Sequence, residues 1–290
     1  MEHSVFAILG GDARFATLAS MLARDGYTVF ASGFERCPEP PEGAVNTDVY
    51  TAAWMAQSVI LPIPPTKDGK LLWAPYAEND ILLDEKLSSA LKHADIYTGF
   101  SDKIRGISQK YRELTIFDYG VHDIFMLRNA QITAEATLML AIESMPCSLL
   151  RSKCLVAGFG RIGKVVSQML SLMGAQVYVA ARKTSDFALI EASGAQKVRY
   201  SELPDIARDF DLIINTADAL VIRDEIISRL EKDAVIIDVA SMPGGTDFDS
   251  AQRHGIRAIH ALGLPGKYAP KSAARVIKDT VLAIMEEEHN

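Results

Sequence analysis

The stretch VAGFGRIGK, residues 156–164, joins a short apolar run to three glycines at fixed spacing. Gly158, Gly160 and Gly163 match G-x-G-x-x-G, and a helix-like segment, RIGKVVSQMLSLMG, follows them. In this pattern the first glycine permits a tight turn, the second lets backbone approach a pyrophosphate, and the third lets the helix pack on the strand. The helix N-terminus also favours phosphate. The context therefore predicts a dinucleotide-binding turn rather than a purely structural one, made by Gly158, Phe159, Gly160, Arg161, Ile162 and Gly163.

The next strand, AQVYVAAR, indicates which dinucleotide is bound. NAD enzymes usually place Asp or Glu at the end of this strand, where the carboxylate binds the ribose 2′-hydroxyl. Here Arg182, Lys183 and Thr184 follow, and the first acid is Asp186. Because two cations and a hydroxyl suit a 2′-phosphate, the sequence favours NADP over NAD. The alternative is that Arg182 is a solvated residue at the end of a strand.

The glycine pattern lies in the middle of the chain because a second domain precedes it. A chain of 290 residues is long for one core, and apolar β-rich runs alternate with helical segments in both halves. We predict an α/β fold with two doubly wound parallel-sheet domains, the second a Rossmann NAD(P)-binding domain. The predicted parts are a flavodoxin- or Rossmann-like substrate-side domain at 1–130, a linking helix at 131–149, the Rossmann domain at 150–268, and a C-terminal helix at 269–290 that returns to the first domain.

Each half has its own predicted elements. The strands of the first half are Val5–Gly10, Tyr27–Gly33, Ser58–Pro64, Asp95–Phe100 and Thr115–Tyr119, and its helices include Ala13–Asp25, Asp84–His93 and Asp102–Leu114. The strands of the second half are Ser152–Gly158, Gln176–Arg182, Lys197–Tyr200, Leu212–Ala217, Ala234–Ser241 and Arg257–Gly263. The linking helix should run from about Thr133 to Met145, and Gly263–Gly266 should form a turn.

The first half begins with a similar but altered motif, AILGGDARF. Asp12 stands near the place of the second glycine, and Phe15 stands near the place of the third. A bulky Phe would obstruct the approach of helix to strand, so this domain is predicted not to bind a dinucleotide. Its loop could instead face a substrate through Asp12 or Arg14; the alternative is a turn with Asp12 as a helix N-cap.

Three loops follow strands of the second half and should line the nicotinamide side of the site. The first follows Leu212–Ala217, the second contains PGGTDF, and the third contains GLPGKYAPK. The cofactor contacts predicted in these loops are Asn215, Thr216, Ala217, Ala240 and Ser241.

Composition excludes several classes of protein. The formal charge is -7 and the pI is about 5.4, which argues against nucleic acid or an anionic membrane as the main partner. Three cysteines without CxxC spacing favour neither disulfides nor a metal site. No run approaches the length of a spanning helix, and the start, MEHSVFAILGGD, lacks the features of a signal peptide, so a cytoplasmic protein is expected.

Longer stretches resemble one family across nearly the whole chain. VAGFGRIGKVV, VYVAAR, LIINTADA, ILGGDAR, TAEATLMLAIE and above all DVASMPGGTDF with GLPGKYAPKSAARVI are similar to the family formed by the A subunits of dipicolinate synthase in spore-forming bacteria. The resemblance implies pyridine-nucleotide-dependent oxidation of dihydrodipicolinate to dipicolinate in the mother cell during sporulation. It also implies a partner, the smaller, flavoprotein-like B subunit of dipicolinate synthase. It leaves a homo-oligomer open.

Such a substrate carries two carboxylates, for which arginine and lysine are the natural binders. Candidate substrate contacts are Asp12, Arg14, Ser241, Lys267 and Lys271, and candidate catalytic groups are His122, Glu135 and Lys267. His260 is more readily explained as a core residue of its strand. Two alternatives stay open: a dehydrogenase or imine reductase for another small carboxylate, and a cofactor-binding regulatory subunit whose partner does the chemistry.

Overall fold

The computed structural model describes residues 4–288. The chain divides into two compact units. Unit 1 comprises the described residues up to Asn129 together with those from Ala269 onward, and unit 2 comprises Ala130–Tyr268. No helix within the described range is long and apolar enough to cross a bilayer.

Unit 1 is built on a parallel sheet whose described strands number six. They are β1 (Val5–Leu9), β2 (Thr28–Ser32), β3 (Val45–Asn46), β4 (Ser58–Ile60), β5 (Asp95–Thr98) and β6 (Ile116–Asp118). Their spatial order is β3-β2-β1-β4-β5-β6. The order reverses between β1 and β4, which is where open α/β sheets form a ligand crevice.

The helices of unit 1 cover both faces of this sheet. They are α1 (Ala13–Arg24), α2 (Val49–Met55), α3 (Glu85–Ala90), α4 (Ser101–Arg105), α5 (Gln109–Arg112) and α13 (Pro270–Glu288), with a 3₁₀ turn at Tyr119–Val121. The long helix α6 (Asp123–Ser144) begins in unit 1 and continues into unit 2. Helix α13 packs along α1, and Lys278 Nζ lies 2.6 Å from Asp25 Oδ2 at the end of α1.

Unit 2 repeats the same architecture. Its described strands are β7 (Lys153–Ala157), β8 (Gln176–Ala180), β9 (Gln196–Val198), β10 (Leu212–Asn215), β11 (Val235–Asp238) and β12 (Arg257–His260), in the order β12-β11-β10-β7-β8-β9. Its helices are α7 (Arg161–Leu172), α8 (Thr184–Ala192), α9 (Leu203–Ile206), α10 (Asp224–Ile227), α11 (Phe248–His254) and α12 (Leu264–Tyr268), with 3₁₀ turns at Tyr200–Glu202 and Ala207–Asp209. Each residue of β10 and β11 is buried, as expected of central parallel strands.

The predicted fold class is confirmed: two doubly wound parallel sheets, with the last helix packed on the first unit. Some predicted elements were wrong in detail. The helix predicted over Asp102–Leu114 is two short helices, because α4 ends at Gly106 and a new helix starts after Ser108. The turn predicted at Gly263–Gly266 is largely the helix α12. The two-residue edge strand β3, exposed at both positions, was not predicted.

Candidate functional site

The glycine turn between β7 and α7 is shaped by two close approaches. Gly158 has φ +104°, and a Cβ built on it would lie 2.5 Å from Thr216 Oγ1. A Cβ built on Gly163 would overlap the carbonyl oxygen of Gly158. By contrast, a Cβ on Gly160 would meet nothing within 4 Å. The fold therefore requires glycine at two positions, while the third leaves open space at the start of α7.

The first turn of α7 suits a phosphate group. Gly160 is the N-cap of this 12-residue helix and provides no side-chain cap, so no N-cap side chain covers the first amide groups. These groups and the helix dipole attract anions. Phe159 and Ile162 pack partly on the domain core, and Arg161 is exposed. The open space in front of Gly160 lies where a Rossmann turn binds a dinucleotide pyrophosphate.

Exposed cations follow the neighbouring strand β8. Arg182, Lys183 and Thr184 are all exposed. Lys183 is the N-cap of α8 and makes no side-chain cap hydrogen bond. Within residues 4–288, neither Arg182 nor Lys183 pairs with a carboxylate. The two charges are thus available to an anionic ligand at this edge of the sheet.

Tyr200 lies beside these cations, and sequence reasoning missed it. It follows β9, which pairs with β8 so that Val198 lies opposite Ala180. Burial raises the pKa of Tyr200; the Arg182 charge and a hydrogen bond with the Gly158 backbone oppose that shift. The sequence gives the position, since Tyr200 comes two residues after β9 as Arg182 comes two residues after β8, but it does not show that these strands are neighbours.

A buried carboxylate organises the loops after β10 and β11. Asp238 has no exposed surface, and its side chain accepts hydrogen bonds from Asn215 Nδ2 at 2.9 Å, Ala240 N at 3.0 Å and Gly245 N at 2.8 Å. Asn215 also donates to the carbonyl oxygen of Ala217 at 3.0 Å. The Asn215 side chain therefore holds loop backbone in place, and Asp238, which the sequence analysis did not single out, fixes two loops at once.

The other predicted contacts of unit 2 differ in their surroundings. Thr216 Oγ1 donates to the carbonyl oxygen of Ala157 at 3.1 Å. Ala240 is buried, while Ser241, Glu135 and Lys267 are exposed. His260 stacks on Phe248 with ring centroids 5.1 Å apart, and its Nε2 lies 3.1 Å from the carbonyl oxygen of Ala240.

In unit 1, two predicted substrate-binding residues bind each other. Asp12 is the N-cap of α1 and accepts from Arg14 N at 3.1 Å. Arg14 Nε donates to both carboxylate oxygens of Asp12, at 2.9 and 3.2 Å. Arg14 is buried, and its guanidinium also lies 3.4 Å from the carbonyl oxygen of Ile63. This pair stabilises the start of α1, and each charge neutralises the other.

The crevice of unit 1 is filled by its own chain. Gly11 N donates to the carbonyl oxygen of Trp73 at 2.8 Å. A Cβ on Gly10 would lie 3.0 Å from Ala74 Cβ, and one on Gly11 would overlap the Phe15 ring. The space that holds a pyrophosphate in a Rossmann domain is therefore occupied here by the chain itself. That unit 1 binds no dinucleotide stays a prediction.

His122 and Lys271 occupy separate places in unit 1. His122 Nδ1 accepts from Ile124 N at 3.3 Å at the start of α6, and its Nε2 lies 3.4 Å from Glu287 Oε2. Both ring nitrogens therefore have partners. Lys271 is exposed in the first turn of α13 and lines a surface cavity with Arg24 and Arg275. No group of three or more metal-binding side chains occurs in the described part of the chain.

Comparisons with known proteins agree with this geometry. Residues 5–119 match the family described as the N-terminal domain of the A subunit of dipicolinate synthase. Residues 129–242 match the family "D-isomer specific 2-hydroxyacid dehydrogenase, NAD binding domain". The A subunit of dipicolinate synthase from Bacillus subtilis (strain 168) is 28% identical over 97% of this chain and 95% of that protein.

Two solved structures are similar over almost their whole length. The crystal structure of the A subunit of dipicolinate synthase from Bacillus halodurans has a TM-score of 0.88 and 29% identity, covering 97% of both chains. The crystal structure of the corresponding polypeptide of dipicolinate synthase from Bacillus subtilis has a TM-score of 0.88 and 27% identity, covering 99% of this chain and 97% of that one.

Proposed function

Because the chain belongs to the family of dipicolinate synthase A subunits, we propose that it oxidises dihydrodipicolinate to dipicolinate, with hydride transfer to a nicotinamide dinucleotide. The observation that carries the proposal is the glycine turn of a dehydrogenase-type NAD-binding domain. Its open space lies at the N-terminus of α7, at the point where the strand order of unit 2 reverses. This is the arrangement that binds a dinucleotide pyrophosphate.

The proposed oxidation requires the protein mainly to orient the substrate ring against the nicotinamide. The bound nicotinamide supplies a hydride acceptor, and the ring proton released at the same time passes to a base or to water. Formation of an aromatic ring drives the reaction. The main task of the protein is then to hold the dihydropyridine ring in one orientation by its two carboxylates.

We propose different roles for the candidate substrate residues. Lys267 and Lys271 are exposed cations that could meet carboxylates, and Ser241 adds a hydroxyl beside the loop that Asp238 fixes. Arg14 and Asp12 form a closed ion pair, so their contribution is to shape the loop after β1. Glu135 remains the candidate proton acceptor, because both ring nitrogens of His122 are engaged and a Lys267 ammonium that binds a carboxylate has no lone pair to accept a proton.

We propose NADP as the preferred cofactor, with NAD as the alternative. Arg182 and Lys183 lack carboxylate partners among the described residues, and the Thr184 hydroxyl lies in the same loop. Hydrogen bonds to charged groups contribute about 1.5–3 kcal/mol, so Arg182→Ala should weaken NADP binding about 10- to 100-fold. NAD binding should change less than about threefold. Equal losses for both cofactors would refute the assignment, and Arg253→Ala, at an exposed arginine near the end of α11, is the control.

The flavoprotein-like B subunit of dipicolinate synthase is the proposed partner, and the cytoplasm of the mother cell is the proposed location. The decisive experiment follows reduction of NADP and NAD at 340 nm with freshly prepared dihydrodipicolinate and the purified chain, with and without this partner. Substrate-dependent reduction by the chain alone supports the proposal. Cofactor binding without turnover, restored only when the partner is added, would favour the regulatory alternative. Turnover of other small carboxylates with dihydrodipicolinate inert would favour a different dehydrogenase.

A further inference from the structure

Arg182 and Tyr200 follow adjacent strands at the same level of the unit 2 sheet. Strands β8 and β9 pair in parallel with Ala180 opposite Val198. Arg182 comes two residues after Ala180, and Tyr200 comes two residues after Val198. Since neighbouring strands lie about 4.8 Å apart, the register brings Arg182 and Tyr200 side by side at the carboxyl edge of the sheet. Gly158 follows β7, the strand on the other side of β8.

The Tyr200 side chain is held by packing against the sheet. Its ring packs partly buried against the core on one face of the sheet. Gly158 N donates to the carbonyl oxygen of Ala180 at 2.9 Å, so the glycine turn adjoins the end of β8, the strand that Arg182 follows and that pairs with β9. Because burial raises the pKa of Tyr200, the hydroxyl stays protonated at neutral pH, and the nearby Arg182 charge and Gly158 backbone oppose that rise.

Tyr200 can limit the conformations of the Arg182 side chain, which has no other partner among the described residues to restrict it. Arg182 is exposed and has no carboxylate partner among residues 4–288. An unrestrained arginine loses rotamer entropy when it is held in one conformation. A neighbour that already limits its conformations lowers the cost of binding a phosphate.

We propose that Tyr200 is a positioning residue that holds Arg182 beside the glycine turn and thereby sets the preference for a 2′-phosphorylated dinucleotide. The inference rests on the proposed binding of a nicotinamide dinucleotide at Gly158–Gly163. It assigns Tyr200 no contact with the reacting atoms. Its effect should therefore require Arg182 and should be seen with NADP but hardly with NAD.

A double-mutant cycle tests this directly on the full chain. The variants are Tyr200→Phe, Arg182→Ala and the two combined, and the affinities for NADP and NAD are measured by calorimetry. We expect Tyr200→Phe to weaken NADP binding about fivefold and NAD binding less than twofold. In the Arg182→Ala background, Tyr200→Phe should change NADP binding less than twofold. Because both ligands are titrated on the same sample, their affinity ratio does not depend on the folded fraction.

Tyr178→Phe is the matched control, since Tyr178 lies within β8 and its ring packs on Phe210. It should leave the ratio of NADP to NAD affinity unchanged. The proposal would be overturned if Tyr200→Phe had an equal effect on NADP binding in the wild-type and Arg182→Ala proteins. Equal losses of NADP and NAD affinity in Tyr200→Phe would also overturn it, as would a wild-type protein that does not prefer NADP. Those outcomes leave the oxidation of dihydrodipicolinate intact, whereas a chain that binds neither dinucleotide would overturn both proposals.

Discussion

Replacing Gly160 with Asp should separate cofactor binding from folding. Gly160 has φ −78°, an ordinary backbone conformation, and a Cβ there meets nothing within 4 Å. Asp is among the best N-cap residues, better than Gly by a few tenths of a kcal/mol. Helix α7 should therefore keep its stability or gain slightly, and Tm should change by no more than about +3 °C.

The effect on the dinucleotide should be large and opposite in sign. The new carboxylate would stand in the open space before α7 and would accept hydrogen bonds from the amide groups that a pyrophosphate needs. Two like charges 4 Å apart repel by about 4 kcal/mol at an effective dielectric constant of 20. Allowing for side-chain movement and screening, a loss of at least about 100-fold in affinity is expected, since each tenfold change is about 1.4 kcal/mol.

Two further variants make the assay specific. Gln168→Glu adds one negative charge on the exposed side of α7, about 12 Å further along the helix, and should change affinity less than twofold because salt screens that distance. Gly163→Ala should instead lower the free energy of unfolding by about 1–3 kcal/mol, because its Cβ overlaps the Gly158 carbonyl. Calorimetric titration with NADP and NAD, together with thermal unfolding, provides both measurements. A Gly160→Asp variant that binds either dinucleotide within threefold of the wild type would refute the assignment of this space to the pyrophosphate.

Other side chains give independent tests. Asp238→Asn should lower the free energy of unfolding by about 2–4 kcal/mol in urea, because an amide group would face the three donors of the network; the exposed Asp249→Asn is its control, and equal midpoints would contradict the role. Burial raises the pKa of the Cys154 thiol to about 11, so at pH 8 a thiol reagent should label the exposed Cys147 and reach Cys154 only after unfolding. His122→Asn, a good N-cap for α6, should keep kcat within about threefold; a 100-fold fall at unchanged Tm would instead identify His122 as the base.

Periodic features could be predicted from the sequence, and individual contacts could not. Continuous apolar runs such as residues 212–214 indicate buried parallel strands, and the spacing of Gly158, Gly160 and Gly163 is a short pattern that can be read along the chain. The strand β3 carries no such signal, because both of its residues are exposed at the edge of the sheet.

In the candidate site, too, the contacts of individual side chains could not be predicted from the sequence. Arg14 looked available for a carboxylate, but Asp12, two residues away, binds it through the geometry of a helix cap. The chain around Trp73 that fills the crevice of unit 1 is irregular, so no periodicity marks it. Asp238 and Tyr200 gain their roles from neighbours on other strands, and a single sequence does not reveal such neighbours.

The return of α13 to α1 has a consequence for biosynthesis. Unit 2 is one continuous segment, Ala130–Tyr268, whereas unit 1 needs residues that lie after it in the chain. On the ribosome, unit 2 can fold as soon as it emerges, but the apolar side of α1 must wait for α13, which packs along it. A nascent chain that lacks these last residues should therefore expose α1 to chaperones and proteases. The first domain to be translated is the last to be completed.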